Sequence, residues 1–207
     1  MPNFPPKKLL LAIFVGVWVA ASGWGTWRLA AYSLAPGEQG AAPQHWPADS
    51  AISRNAAGFT VVIALHPECP CSEATVEELD SIIALSGGRL QAQLLFVDLP
   101  GLPAAEASTL WQRASRIAGV RLTKDLGGAE ARRFDTRSSG ETRLYGPTGN
   151  LLFHGGITAA RGHAGDNPGQ AAIVAMISSN SQLVTPISTP VFGCALWNDS
   201  PTTEYDF

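Results

Sequence analysis

The chain is short of charge. Only 15% of its 207 residues are Asp, Glu, Lys or Arg, against 45% hydrophobic ones, a balance that does not suit a wholly soluble protein. Acids are missing altogether from residues 1–32, where Lys7, Lys8 and Arg28 are the charged side chains. Setting these three aside leaves 11 of the 14 basic residues against 17 acidic ones, which moves the net charge from −3 to −6. A body so lacking in clustered Lys and Arg is not built for phosphate contacts, so nucleic acid is excluded as a partner. No long internal repeat is present, which excludes a solenoid. Apolar residues recur to the end of the chain, which excludes disorder throughout. Methionine is limited to Met1 and Met176, and the four histidines form no tract, so methionine- or histidine-rich copper or zinc delivery has no basis here.

What is abundant comes first. Lys7-Lys8 precedes LLLAIFVGVWVAASGWGTW, residues 9–27, an uncharged and mostly apolar run of 19 residues. At 1.5 Å per residue that is about the length needed to cross a ~30 Å hydrocarbon core. Trp24 and Trp27 suit the interface, and the paired lysines favour a cytoplasmic N-terminus. The rival reading is a cleaved signal peptide with its apolar region over Leu9–Ala21 and small residues from Ala20 to Gly23. Either way, the body lies outside the cytoplasm, in the periplasm if the source is bacterial. Residues 1–32 are therefore read as an anchor or signal. Residues 33–57, with three prolines and no helical or strand period, read as a flexible linker in which His45 and Trp46 are solvated spacers.

From residue 58 the pattern alternates. Phe59–Leu65 is a β-branched apolar run, predicted as a buried strand. Ser72–Leu85 has helical spacing, with Thr75, Val76, Leu79, Ile82 and Ile83 on one face, and Gly87-Gly88 ends it. A second strand is predicted over Leu90–Val97, a second helix over Glu106–Ala118, a short strand over Val120–Leu122 and a short helix over Ala129–Phe134. Glu141–Tyr145 and Leu151–Gly155, joined by Gly-Pro-Thr-Gly-Asn, read as an antiparallel hairpin. A last helix starts at Asn167-Pro168, with Gln170 placed as a capping-box partner. The order describes an α/β layered domain.

The reactive chemistry concentrates where the first strand meets the first helix, at His66-Pro67-Glu68-Cys69-Pro70-Cys71-Ser72. Unpaired N–H groups at a helix start stabilise a thiolate, while Glu68 and Glu73 oppose it. A disulfide across Cys-Pro-Cys closes so small a ring that chain entropy predicts little stabilisation, so exchange chemistry is the better reading than a structural staple. Cys194, in TPVFGC, makes the count odd. It is a free thiol, an intermolecular partner, or a resolving thiol for Cys69 or Cys71. His66 stands near enough in sequence to influence Cys69 by charge or proton transfer, or serves only the strand end. The alternative chemistry is non-enzymatic binding of a soft metal by Cys69, Cys71, Cys194 and His66.

A strand leading into a cysteine pair at a helix start resembles the thioredoxin-like superfamily. HPECPCSEAT, LLFHGGITAARGHAGDN and TPVFGC, in that order, resemble the membrane-anchored thioredoxin-like proteins of the RedB family, over roughly residues 59–194. The resemblance implies a thioredoxin-like domain over residues 58–194 behind one transmembrane helix, with 195–207 as a tail. It also implies a redox-active centre that exchanges with protein thiols or disulfides and an unidentified electron donor, without a cofactor. Two departures stand out. The usual active site has two residues between its cysteines, where only Pro70 stands here. The usual proline before the facing strand is missing from Thr136-Arg137-Ser138-Ser139-Gly140-Glu141.

The glycine-rich stretch 155–167 is read first as loop architecture. Arg161 and His163 are candidates to approach the thiols or an anion, and Asp166 or Asn167 to cap the following helix. His154 is read as a sheet residue. Gly155-Gly156 lacks the strand-to-helix context of a nucleotide fingerprint.

Overall fold

A computed structural model describes residues 6–100, 104–179 and 185–197 of the chain. Two units are present, divided between Ala35 and Pro36. The first holds helix α1 (Pro6–Ser33), whose stretch Lys7–Ser33 is long and apolar enough to cross a membrane.

The second unit is built on a six-stranded sheet. Its strands are β1 (Phe59–Leu65), β2 (Leu90–Asp98), β3 (Val120–Leu126), β4 (Glu141–Tyr145), β5 (Leu151–Gly155) and β6 (Ile187–Ser188), in the order β3-β2-β1-β4-β5-β6. β1 pairs in parallel with β2, and β2 with β3, while β4 runs antiparallel to both β1 and β5. β1 is central and buried along its whole length, which is why it reads as an unbroken apolar run. Its side chains alternate. Val61, Ile63 and Leu65 pack with Val76, Leu79 and Ile82 of α2 (Pro70–Leu85) and Ile173 and Met176 of α5 (Pro168–Ser179). Val62 and Ala64 face the other way, onto Phe134, Tyr145 and Leu196. Helices α3 (Thr109–Ala114) and α4 (Ala129–Arg133) complete the two outer layers. Among the start signals, the Asn167 side chain accepts the Gln170 N–H at 2.9 Å, as a cap before Pro168 should.

Four sequence expectations need correction. The helix predicted over Glu106–Ala118 is a 3-10 turn at Ala105–Ala107 followed by the short α3. Ser108 separates them in an extended conformation, its hydroxyl accepting the Trp111 N–H at 3.1 Å. The strand predicted over Val120–Leu122 continues to Leu126, because β3 is an edge strand whose polar residues hide it from an apolar count.

Residues 36–57 are not a solvated spacer. They form a strap along the sheet in which Trp46 meets Phe134 and Tyr145 edge-on, with ring centroids 5.0 and 5.3 Å away. The Trp46 N–H bonds to Gly149 O at 2.8 Å and the Tyr145 hydroxyl to Pro43 O at 3.1 Å. The body also runs past Cys194. Ala195 bridges to Ser138, and Leu196 is buried with its N–H on Arg137 O. The remainder of the expected tail, 198–207, and the first five residues of the expected anchor lie outside the described residues.

Candidate active site

Three segments converge at the β1–α2 junction. The chain leaves β1 at Leu65, turns through His66–Glu68, and enters α2 with Cys69 as N-cap and Pro70 at the first helical position. Pro70 suits that position because its missing N–H would have no helical partner there. Cys71 is thereby in the first turn. Ser72 fastens the turn: its hydroxyl donates to His66 O at 2.7 Å and lies 2.6 Å from the Ser139 hydroxyl, which also accepts the His66 N–H at 3.0 Å.

Ser139-Gly140 directly precede β4. The Gly140 N–H bonds to Ala64 O at 2.8 Å, a bond proline cannot make. Gly140 also has φ of +85°, and a Cβ there would lie 2.5 Å from the Thr75 hydroxyl. Glycine at position 140 therefore has a local physical reason.

Cys194 arrives from the far end of the chain. Its carbonyl accepts the Ser139 N–H at 2.8 Å. The preceding Gly193 is pressed so closely onto Ser139 that a Cβ would come within 1.9 Å of its carbonyl oxygen. Arg161 donates to Gly193 O. The result is a cluster in which the sulfurs of Cys69, Cys71 and Cys194 all lie within 4.8 Å of one another, as free thiols.

The cluster is electrostatically uneven. The Cys71 thiol acts as donor to the Cys69 sulfur and is the main reason that Cys69 is drawn from 9.0 down to about 4. Burial opposes this, while the Cys194 thiol and the N–H groups of Cys71 and Ser72 assist it; the N–H groups face the sulfur without closing a capping hydrogen bond. Cys71 is pushed up, because it holds its proton for Cys69 and is itself buried, although the Gly162 N–H works the other way. Cys194 is also pushed up, chiefly by burial, with Arg161 counteracting. The surroundings thus favour a negative charge on Cys69 over the other two sulfurs.

Accessibility is uneven across the three cysteines. Cys69 and Cys71 are both buried, at 6% and 4% exposure, and the exposed cysteine is Cys194. The His66 ring is turned to its own loop, with Nδ1 accepting the Glu68 N–H at 3.2 Å, and it contributes no atom to the sulfur cluster. His154 sits on β5 with Nδ1 3.0 Å from the Gln39 amide, its basicity lowered mainly by burial. His163 is exposed, its Nδ1 2.6 Å from Arg161 O. Ser72, Ser139, Gly162 and Gly193 were not singled out from sequence. The Gly-Cys pair at 193–194 was the available signal for the last of them, since a glycine beside a reactive residue often marks close backbone approach.

The chain matches no protein-family model, and no curated protein matches it. Among solved structures, a hypothetical protein from Sinorhizobium meliloti 1021 superposes with a TM-score of 0.54 at 19% identity, over 81% of this chain and 97% of its own. An uncharacterized conserved protein from Geobacillus kaustophilus does so with 0.52 at 12% identity, over 81% and 95%. A secreted disulfide oxidoreductase from Mycobacterium tuberculosis is more distant, with 0.41 at 11% over 59% of this chain and 82% of its own. The body is thioredoxin-like in fold: a parallel β1–α2–β2 unit joined to the antiparallel β4–β5 hairpin in one sheet, with cysteines at the helix entrance.

Proposed function

We propose that the protein is a membrane-tethered thiol-disulfide oxidoreductase, akin to the RedB proteins it resembles, with its body outside the cytoplasm. The observation that carries the reading is the meeting of the Cys69, Cys71 and Cys194 sulfurs within 4.8 Å of one another at the entrance of α2, where the Cys69 thiol is drawn towards its ionised form. Helix α1 supports the tether by length and apolar character, and Lys7-Lys8 support the orientation.

The thiolate of Cys69 attacks one sulfur of a partner's disulfide. A Cys69–partner bond forms, the partner's S–S bond breaks, and its second sulfur leaves as a thiolate. Cys71 then gives its proton to the partner thiolate already released and attacks the Cys69 sulfur. The partner's remaining thiolate departs, leaving Cys69–Cys71 oxidised by two electrons and the partner reduced by two. The reverse sequence oxidises a dithiol. Cys194, also within 4.8 Å, is the alternative resolving thiol. The Cys71 thiol, which keeps its proton while Cys69 is ionised, is the proton source in the resolving step. His66 is left the role of shaping the turn.

Redox titration with mixed-disulfide trapping tests this. Cys71→Ser is expected to accumulate a Cys69–partner adduct that wild type releases, and Cys69→Ser to form none. If Cys69→Ser, Cys71→Ser and Cys194→Ser all cycle like wild type, the mechanism fails.

A further inference from the structure

We propose that the reduced protein binds one monovalent copper ion through the three sulfurs of Cys69, Cys71 and Cys194. The exchange reaction needs two of these sulfurs at a time. A third held at the same centre is what that reaction leaves unexplained.

The geometry fits a single small ion. Three thiolates around one ion, at the roughly 2.3 Å typical of metal–thiolate bonds, stand about 4 Å apart. The three sulfurs already lie within 4.8 Å of one another, so closing on an ion requires small side-chain adjustments and no backbone rearrangement. Their carriers are fixed. Cys69 caps α2 and Cys71 sits in its first turn, and Cys194 is held by the Ser139 N–H, the close approach of Gly193 and the bond from Arg161 to Gly193 O.

The donor set selects the metal. Among the described residues the group contains three sulfurs and no imidazole or carboxylate. The histidine nearest in sequence, His66, has its Nδ1 occupied by the Glu68 N–H. Calcium and magnesium require oxygen ligands, and structural zinc completes a tetrahedron of four protein ligands. Thiolates alone, three in number, suit soft Cu(I). Three thiolates and Cu(I) leave two net negative charges. The Arg161 guanidinium acts on Cys194, and the N–H groups of Cys71, Ser72 and Gly162 face the other two sulfurs. Cys194, exposed while its partners are buried, is the side from which an ion enters. Binding exchanges protons for metal: each thiol that ligates releases its proton to solvent, and neither sulfur nor copper changes oxidation state.

The test uses the full chain in detergent micelles, reduced and kept anaerobic. Cu(I), delivered as its acetonitrile complex, is titrated against the chelator bicinchoninate, and copper X-ray absorption counts the neighbours. One copper per chain, withdrawn from the chelator and surrounded by three sulfurs, is expected. Cys194→Ser is expected to bind at least tenfold more weakly, with two sulfurs. No copper uptake, two sulfurs in the wild type, unchanged affinity in Cys194→Ser, or preferential retention of zinc would each overturn the proposal. The wild-type sulfur count stands whether or not the variant folds. Reversible dithiol oxidation in metal-free buffer is measured separately, so a protein that cycles but takes no copper disproves this inference alone.

Discussion

The depressed Cys69 thiol makes a prediction about pH rather than about speed. Drawn from 9.0 to about 4, Cys69 is almost wholly ionised at pH 7, whereas a thiol at 9.0 would be about 1% ionised, a roughly 100-fold difference in thiolate. Nucleophilicity falls with pKa with a slope of about 0.4–0.5, so the same change lowers the reactivity of each thiolate by roughly 100- to 300-fold. The two effects nearly cancel. The alkylation rate at pH 7 is therefore uninformative, but its pH profile is not. Iodoacetamide labelling, with the modified cysteine located by fragment-ion mass spectrometry, should show a Cys69 rate that is flat from pH 6 to 9 and halves near pH 4. Because Cys71 is the leading cause, Cys71→Ala should raise that midpoint. Losing a hydrogen bond to a charged group is worth about 1.5–3 kcal/mol, or roughly one to two pH units. Cys71→Ser keeps a donor and should stay nearer wild type. A wild-type midpoint near 9, or one that Cys71→Ala leaves in place, would refute the coupling.

Other expectations follow from packing and topology. Gly193→Ala places a methyl against the Ser139 carbonyl and should destabilise the body by about 1–3 kcal/mol, as overpacking does, while speeding Cys194 labelling; an unchanged melt and labelling rate would contradict the close approach. Arg143→Met leaves Glu141 without its buried partner at 2.7 Å and should lose about 3–5 kcal/mol in denaturant unfolding. Trp46→Ala removes two edge-on ring contacts, each worth about 0.5–1.5 kcal/mol, so a loss of about 1–3 kcal/mol is expected; a negligible loss would return the strap to the status of a linker. In sealed vesicles, a C-terminal tag should resist protease added on the cytoplasmic side, and digestion there would reverse the orientation.

Legibility varied with how local the determining physics is. β1 was readable to its ends because both faces are buried, so every position is apolar. The Cys-Pro-Cys helix entrance was readable because thiolate stabilisation there is a property of neighbouring residues. The strap was not, since its Pro-, Gly- and Ala-rich composition carries no period and its bonds go to Gly149 and other residues far along the chain. The position of Cys194 was likewise hidden: three open roles became one cluster only through contacts with Ser139 and Arg161. α3 was overlong on paper because apolar spacing persisted across Ser108, whose hydroxyl favours a cap over a helix interior.

The distance along the chain between the second and third cysteines also sets an order of events during synthesis. A chain synthesised from its N-terminus presents Cys69 and Cys71 early, while the β4–β5 hairpin that receives the C-terminal segment is still unmade. For that interval the pair lacks its third sulfur and the Arg161 loop, and is open to whatever oxidant the compartment holds. Docking of Gly193 onto Ser139 is the step that ends this exposure. Maturation of the centre is therefore tied to completion of the polypeptide, and a product stopped short of Cys194 would keep the sheet yet carry a centre of two sulfurs in place of three.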